Sequence, residues 1–222
     1  MKRRPPAKNA IKSLAEIRKS YTLGGLRRAD LKPDAVAQFC DWMQQALEAR
    51  LAEPTAMTLA TADKQGRPSA RIVLLKGVDE RGFLFFSNYA SRKAKELAEN
   101  PIASLVLYWP ELERQVRVTG TVAKSSREVS EKYFQSRPRG HKLGAWVSQQ
   151  SEPIADRQVL EKRLAQLEAK FPDEVPLPPS WGGYVLSATE IEFWQGRPDR
   201  LHDRFRYTKQ PGGKWLIERL AP

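Results

Sequence analysis

Between Glu192 and Tyr207 the chain concentrates side chains suited to an anionic, planar ligand. Four arginines (Arg197, Arg200, Arg204, Arg206) stand there with two aspartates (Asp199, Asp203), several aromatic residues and His202, one of only two histidines. A guanidinium fork bonds phosphate and carboxylate groups in pairs. Read as extended chain, residues 200–204 alternate faces, so Arg200, His202 and Arg204 share one side and Leu201 and Asp203 the other. Trp194 lies just upstream, where it could wall the same pocket. The alternative is a solvated edge strand whose arginines pair with Asp199 and Asp203.

Three further segments carry cations in arrangements that favour anions. Ser91 is a good helix N-cap, yet Arg92 and Lys93 follow it in the first turn, where cations oppose the helix dipole at about 0.3–1 kcal/mol each. An anion docked at that terminus would reconcile them; side chains pointing into water are the other solution. Arg71-Ile72-Val73-Leu74-Leu75-Lys76 reads as an apolar strand with a cation at each end, on opposite faces if the strand is regular. Phe86, Ser87 and Asn88 end the neighbouring strand just before Ser91, which brings the two clusters close in space. The third segment, Tyr133 to His141, is a helix end running into a basic turn that includes Arg137. Gln115, Gln150 and Ser151 are neutral donors and acceptors of the kind that read a heterocycle's edge.

What is missing narrows the chemistry. Two histidines and the single cysteine Cys40, far apart, do not make a zinc site or a Cys–His nucleophile pair, and no metal is expected. No Gly-x-x-x-x-Gly-Lys loop and no Gly-x-Gly-x-x-Gly motif occurs, which excludes P-loop and Rossmann readings. Cations, aromatics and amides without a nucleophile fit an enzyme whose cofactor carries the reaction.

The elements that must position these residues can be read from periodicity. Ile11, Leu14, Ile17 and Tyr21 have rough helical spacing up to Gly24-Gly25, and Val36 to Leu51 forms a clear amphipathic helix ending before Pro54. The period then changes: residues 55–62, 70–78 and 83–88 read as strands of an antiparallel meander with turns at 63–66 and 79–82. A short helix over 91–100, strands at 102–109 and 114–124, and helical inserts at 126–136 and 153–171 follow. Pro172 to Pro179 connects to strands at 181–192, 204–207 and 215–219. Many short antiparallel strands argue for a mainly β fold with flanking helices, closed or nearly closed into a barrel that leaves few open edges.

A chain of 222 residues with 41% hydrophobic content suits one domain. The net charge of +12 raises a nucleic-acid reading, but residues 1–28 hold nine Lys/Arg against Glu16 alone, and the remainder carries 29 against 25. The excess therefore belongs to a tail, expected to be disordered over 1–16 and followed by a single domain over 17–222. A lone cysteine, no membrane-length apolar run and no secretory signal point to the cytoplasm, with no membrane partner.

In chain order, Arg71–Lys76, Ser91-Arg92-Lys93, Glu113–Val116, Tyr133–Arg139, Gly144–Ser148 with Gln150-Ser151, Val175–Pro178, Trp181–Gly183, Glu192–Gly196 and Arg200–Phe205 resemble the pyridoxamine 5′-phosphate oxidase family. The likeness runs from about Ile17 to Pro222. It implies an antiparallel FMN-binding split β-barrel working as a homodimer, with FMN between the subunits and no nucleic acid as partner. Carried over by position, Arg71, Ile72, Val73, Leu74, Leu75 and Lys76 should contact FMN. So should Phe86, Ser87, Arg92, Lys93, Gln115, Gln150, Ser151, Trp194 and Arg204, with Arg71, Arg92 and Lys93 at its phosphate. The resemblance assigns the substrate to Lys76, Tyr133, Arg137 and His141 at its phosphate, to Arg200 and His202 at the pyridine ring as catalytic residues, and to Arg18 and Tyr21 on a closing N-terminal arm. Two positions depart: His141 stands where the family often has serine, and Glu53 where aspartate is expected. The implied reaction moves a hydride from the substrate's C4′ carbon to flavin N5, and O2 then reoxidises the flavin to give H2O2. Two rival readings remain: a basic barrel that binds single-stranded nucleic acid through stacking aromatics, and a flavin-binding sibling without this oxidase activity.

Overall fold

The computed structural model describes residues 14–222. Eight strands run β1 (Ala56–Ala62), β2 (Pro68–Asp79), β3 (Gly82–Asn88), β4 (Ile102–Trp109), β5 (Arg114–Lys124), β6 (Trp181–Gln195), β7 (Asp203–Lys209) and β8 (Trp215–Leu220). They form one antiparallel sheet in the order β3-β2-β1-β4-β5-β6-β7-β8. The long β6 makes closure possible. Its first half pairs with β3 (Phe86 opposite Gly183) while its second half pairs with β7 (Trp194 opposite Arg204). The β3–β6 pairing seals β1 to β6 into a barrel, and β7 and β8 extend from it as a flap.

Alternation sorts the side chains. Leu59, Leu105, Leu107, Val116, Val118, Ile191 and Phe193 are fully buried in the interior. Helix α1 (Ala35–Glu48) covers one end, starting from Asp34, whose carboxylate accepts the Ala37 N–H at 2.8 Å. Its Phe39 meets Phe83 edge-on at 4.9 Å and its Trp42 meets Phe193 at 5.2 Å. Helix α2 (Arg92–Glu99) follows β3, and α3 (Arg127–Gln135), α4 (Arg139–Val147) and α5 (Gln158–Lys170) pack beside the barrel. A second core of Phe134, Leu143, Val175, Leu177 and Trp181 holds α3 and α4 in place.

The strand meander, the barrel and most element bounds agree with the sequence reading. Four points differ. The helix expected over 11–21 falls partly outside the described residues, as does nearly all of the tail expected over 1–16; Leu14–Glu16 form a single 3-10 turn, and no helix continues to Tyr21. The insert expected from Pro153 begins at Gln158. Helix α4 has no counterpart in the sequence reading, because Gly140 and Gly144 dilute its apolar period and Pro138 precedes it. Residues 200–204 are not one extended run: Pro198–Arg200 form a 3-10 turn in which Asp199 and Arg200 have left-handed φ values of 55° and 62°, and β7 starts at Asp203.

Candidate functional site

A cavity of about 930 Å³ opens between β2, the end of β3, the start of α2, and helices α3 and α4. That is within the range of roughly 300–1,000 Å³ common for small-molecule sites. One end holds the cations of β2 and α2. Lys93 is 8% exposed, and its ammonium donates to Gln150 Oε1 at 2.7 Å, Ser87 Oγ at 3.1 Å and Ser91 Oγ at 3.3 Å. All three partners are neutral. Burial, and then the Arg71 charge, push its pKa down to about 8. Ser91 sits at the N-cap position but does not cap with its side chain; its hydroxyl donates to Asn88 O at 2.7 Å. The Arg92 N–H donates to Ser151 Oγ at 3.2 Å, which ties the loop after α4 to this helix end.

The other end is aromatic and basic. Tyr133 stacks on Phe86 at 4.0 Å, and Phe86 stacks on Trp181 at 5.2 Å. Arg137 lies over the Trp181 ring at 4.8 Å, and its Nη1 is buried without a hydrogen-bond partner among the described residues. Burial lowers its pKa. A buried guanidinium nitrogen with no acceptor is costly, and an anion in the cavity would satisfy it. His141 also lines the cavity, as do Ile72, Val73 and Leu74. Arg71 and Lys76 both border this one cavity, although a regular strand would put them on opposite faces; Lys76 is the extra residue of a bulge between Leu75 and Gly77, which re-aims a side chain locally. Leu75 is the exception in the run. It is 6% exposed and its side chain belongs to the barrel core, not the cavity.

The remaining expected residues lie elsewhere. Gln115, Trp194 and Arg204 are direct cross-strand neighbours, a single row over β5, β6 and β7. None of them lines the cavity. His202 joins this row: its ring is 4.6 Å from that of Trp194 and 5.6 Å from that of Tyr21, and Tyr21 meets Trp194 edge-on at 5.5 Å. The Arg197 N–H donates to His202 Nδ1 at 3.1 Å, so the neutral ring carries its proton on Nε2. Burial and then the Arg200 charge lower the His202 pKa, favouring that neutral ring. Arg200 is exposed in its left-handed turn, a conformation that costs about 1–3 kcal/mol and clusters at functional sites. The N-terminal arm lies across this patch: Leu23 N–H bonds Glu113 Oε2 at 3.0 Å, and Leu26 N–H bonds Asp203 Oδ2 at 3.0 Å. Gly196 permits the approach, since a Cβ there would sit 2.8 Å from the Tyr21 ring. Arg18, on the same arm, is exposed and makes no hydrogen bond among the described residues.

Most of the acids that position these cations, Asp203 excepted, escape the sequence reading. Glu192, 5% exposed, accepts Arg204 Nε at 2.8 Å and Nη2 at 3.1 Å. Asp203 accepts Arg219 at 2.6 Å and lies 3.6 Å from Arg197. Arg206 pairs with Glu218 at 2.8 Å. The pairing expected of a solvated strand thus holds for Arg197, through Asp203 as expected, whereas Arg204 and Arg206 pair with Glu192 and Glu218; among the described residues neither Asp199 nor Arg200 forms an ion pair. Glu96 holds Arg71 and Arg92, and here an Arg-x-x-x-Glu spacing on a helix was a usable signal. The other acids act across strands, where spacing along the chain is silent.

Among the described residues no helix is long and apolar enough to cross a membrane, and no group of His, Cys, Asp and Glu forms a metal site. Residues 43–171 match the family described as pyridoxamine 5′-phosphate oxidase, and residues 181–222 match the pyridoxine 5′-phosphate oxidase C-terminal dimerisation region. A pyridoxine/pyridoxamine 5′-phosphate oxidase of Paraburkholderia phymatum is 57% identical over 96% of this chain and 100% of its own length. Its counterpart in Cupriavidus necator is 55% identical over 94% of this chain and 99% of its own. Among solved structures, PhzG from Burkholderia lata 383, in complex with tetrahydrophenazine-1-carboxylic acid, has a TM-score of 0.86 at 32% identity, covering 92% of this chain and all of that one. A pyridoxamine 5′-phosphate oxidase-related, FMN-binding protein of Nostoc punctiforme shares the fold, with a TM-score of 0.70 at 18% identity over 86% of this chain and all of that one. By this match in sequence along nearly its whole length, the chain belongs to the pyridoxamine 5′-phosphate oxidase family.

Proposed function

We propose that the protein is an FMN-dependent oxidase that converts pyridoxamine 5′-phosphate and pyridoxine 5′-phosphate to pyridoxal 5′-phosphate in the cytoplasm. Residues 17–222 act as one split-barrel domain, and two copies form the working unit. The amine consumes O2 and water and releases ammonia and H2O2; the alcohol consumes O2 and releases H2O2. The observation that carries this reading is a single cavity with two separate cationic ends, Lys93 with Arg71 and Arg92 on one side and Arg137 beside Tyr133 on the other. Two phosphate-bearing molecules need two such ends. The buried Lys93 ammonium among neutral oxygens and the Arg137 Nη1, unpartnered among the described residues, fit phosphate oxygens at both.

FMN, when bound, supplies two-electron redox chemistry with O2 as the final acceptor. The chain's residues do the rest. Arg71, Arg92 and Lys93 hold the flavin phosphate, with Ser87, Gln150 and Ser151 alongside. Lys76, Tyr133, Arg137 and His141 hold the substrate phosphate. Arg200 and a neutral His202 orient the pyridine ring, and Tyr21 and Arg18 exclude water as the arm closes. Such positioning alone removes several kcal/mol from a barrier, on the order of 7–11 kcal/mol in the best oriented cases.

Gln115, Trp194, Arg204, Arg200 and His202 do not line their own chain's cavity, so in this reading they complete the cavity of the partner copy. The dimerisation region over 181–222 supports this, because it contains four of the five. So does the apolar outer face, where Ile72 is 63% exposed, Leu74 41% and Tyr108 50%. The test is direct: the purified protein should show flavin absorbance and release H2O2 with both phosphorylated vitamers. A colourless protein, or a yellow one that yields no peroxide with either vitamer, contradicts the proposal.

A further inference from the structure

Three cations crowd one end of the cavity, and they need a reason to stay together before an anion arrives. Glu96, one turn into α2 and 5% exposed, supplies it. Its Oε2 accepts Thr61 Oγ1 at 2.5 Å, Ser69 Oγ at 2.6 Å and Arg71 Nη2 at 3.2 Å, and its Oε1 accepts Arg92 Nε at 2.8 Å. Arg71 is further held by Thr61 Oγ1 at 2.5 Å, Leu59 O at 3.2 Å and the Ser69 hydroxyl. Burial opposes the charge on Glu96, but the hydrogen bonds from Ser69, Thr61 and Arg92 and the Arg71 charge outweigh it and bring the pKa down to about 2. Glu96 does not line the cavity, whereas Arg71 and Arg92 do.

We propose that Glu96 is a positioning residue that orients Arg71 and Arg92 toward the flavin phosphate and so sets the preference for phosphorylated over unphosphorylated flavin. The inference rests on the reading of this cavity as the FMN site. Two physical arguments predict opposite signs for removing the charge. By Coulomb attraction alone, neutralising Glu96 leaves three uncompensated cations and should tighten binding of a phosphate that carries about −1.5 to −2 at pH 7. By positioning, it releases two long side chains that must then be ordered during binding, and affinity should fall. The buried, four-donor geometry favours the second.

The test titrates full-length apoprotein with FMN and with riboflavin, following quenching of flavin fluorescence, for the wild type, Glu96→Gln and Glu96→Ala. The near-isosteric Glu96→Gln should lose roughly tenfold in FMN affinity, about the weight of one charge-assisted hydrogen bond, with riboflavin affinity unchanged. Glu96→Ala should lose more FMN affinity, again sparing riboflavin; should it fail to fold, Glu96→Gln alone decides. Tighter or unchanged FMN binding in Glu96→Gln overturns the proposal, and so does an equal fall for both flavins, which marks a merely structural role. A wild type that binds no flavin removes the FMN reading and this inference together, whereas a wild type that prefers FMN alongside unaffected variants removes this inference alone.

Discussion

The cavity and the β5–β6–β7 row both gather cations, but they treat them differently. In the cavity, among the described residues, Lys93 bonds only neutral oxygens and Arg137 keeps a buried nitrogen without an acceptor. On the row, Arg204 is locked to the buried carboxylate of Glu192 by two hydrogen bonds, and its pKa rises through that bond. Even with Arg71 and Arg92 sharing the single carboxylate of Glu96, the first arrangement leaves positive charge for a ligand. The second has already neutralised it and leaves a rigid polar wall. The anions therefore belong to the cavity, and the row, with Trp194 and His202, shapes and orients what the cavity holds. Arg200 is the exception on the row, exposed and free of any ion pair among the described residues.

This contrast can be broken by substitution. The largest effect is expected at Arg200: Arg200→Leu should lower turnover by about 100-fold or more, the scale of a misplaced reacting group, while flavin stays bound. Steady-state peroxide release and the flavin spectrum of the same sample check both halves, and loss of flavin would put Arg200 in the anion grip instead. Next comes Arg137→Ala, which removes a charged donor and should raise KM for the phosphorylated vitamers by about 10–100-fold with little change in kcat. A fall in kcat with unchanged KM would move Arg137 from binding to orientation.

Smaller effects follow from pH. Lys93 titrates at about 8 in the free protein, and a bound phosphate must raise that value. Below pH 8 the ammonium is present before binding, and affinity is flat with respect to this group; above it, binding must take up a proton. FMN affinity should thus weaken by at most about tenfold per pH unit above 8. Titrations in two buffers of different ionisation enthalpy would detect the proton uptake, and its absence in Lys93→Met would assign it. His202 has its pKa lowered by burial and by Arg200, so its neutral ring persists below the usual histidine range near 6.5. The acid limb of kcat/KM, which reports the free enzyme, should accordingly lie below about pH 6.5 and move up in Arg200→Leu.

The two regions were also unequally legible. The cavity residues sit in short contiguous runs such as 71–76, 86–87 and 91–93, and local alternation and a helix terminus bring them together on paper much as they fold. The row depends on register across strands. Nothing along the chain says that Gln115 faces Trp194, or that Glu192 rather than Asp199 would take Arg204. The extended reading of 200–204 fails because Asp199 and Arg200 adopt left-handed backbone, which neither residue type announces. Helix α4 is hidden by its two glycines, although His141 sits in its first turn and Gln150 and Ser151 depend on where it ends.

The measurement closest to the central claim uses mixed dimers. Arg137→Ala damages the cavity and spares the row, and Arg200→Leu does the reverse. Coexpressed with two affinity tags and purified through both, each mixed dimer carries one site with both defects and one with neither. If each site draws on both copies, these dimers, assayed at substrate well below KM, should regain about half of wild-type kcat/KM, far above either variant alone. A kcat/KM no better than the average of the two impaired parents would mean that each chain builds its site unaided, and the shared-site dimer would be wrong.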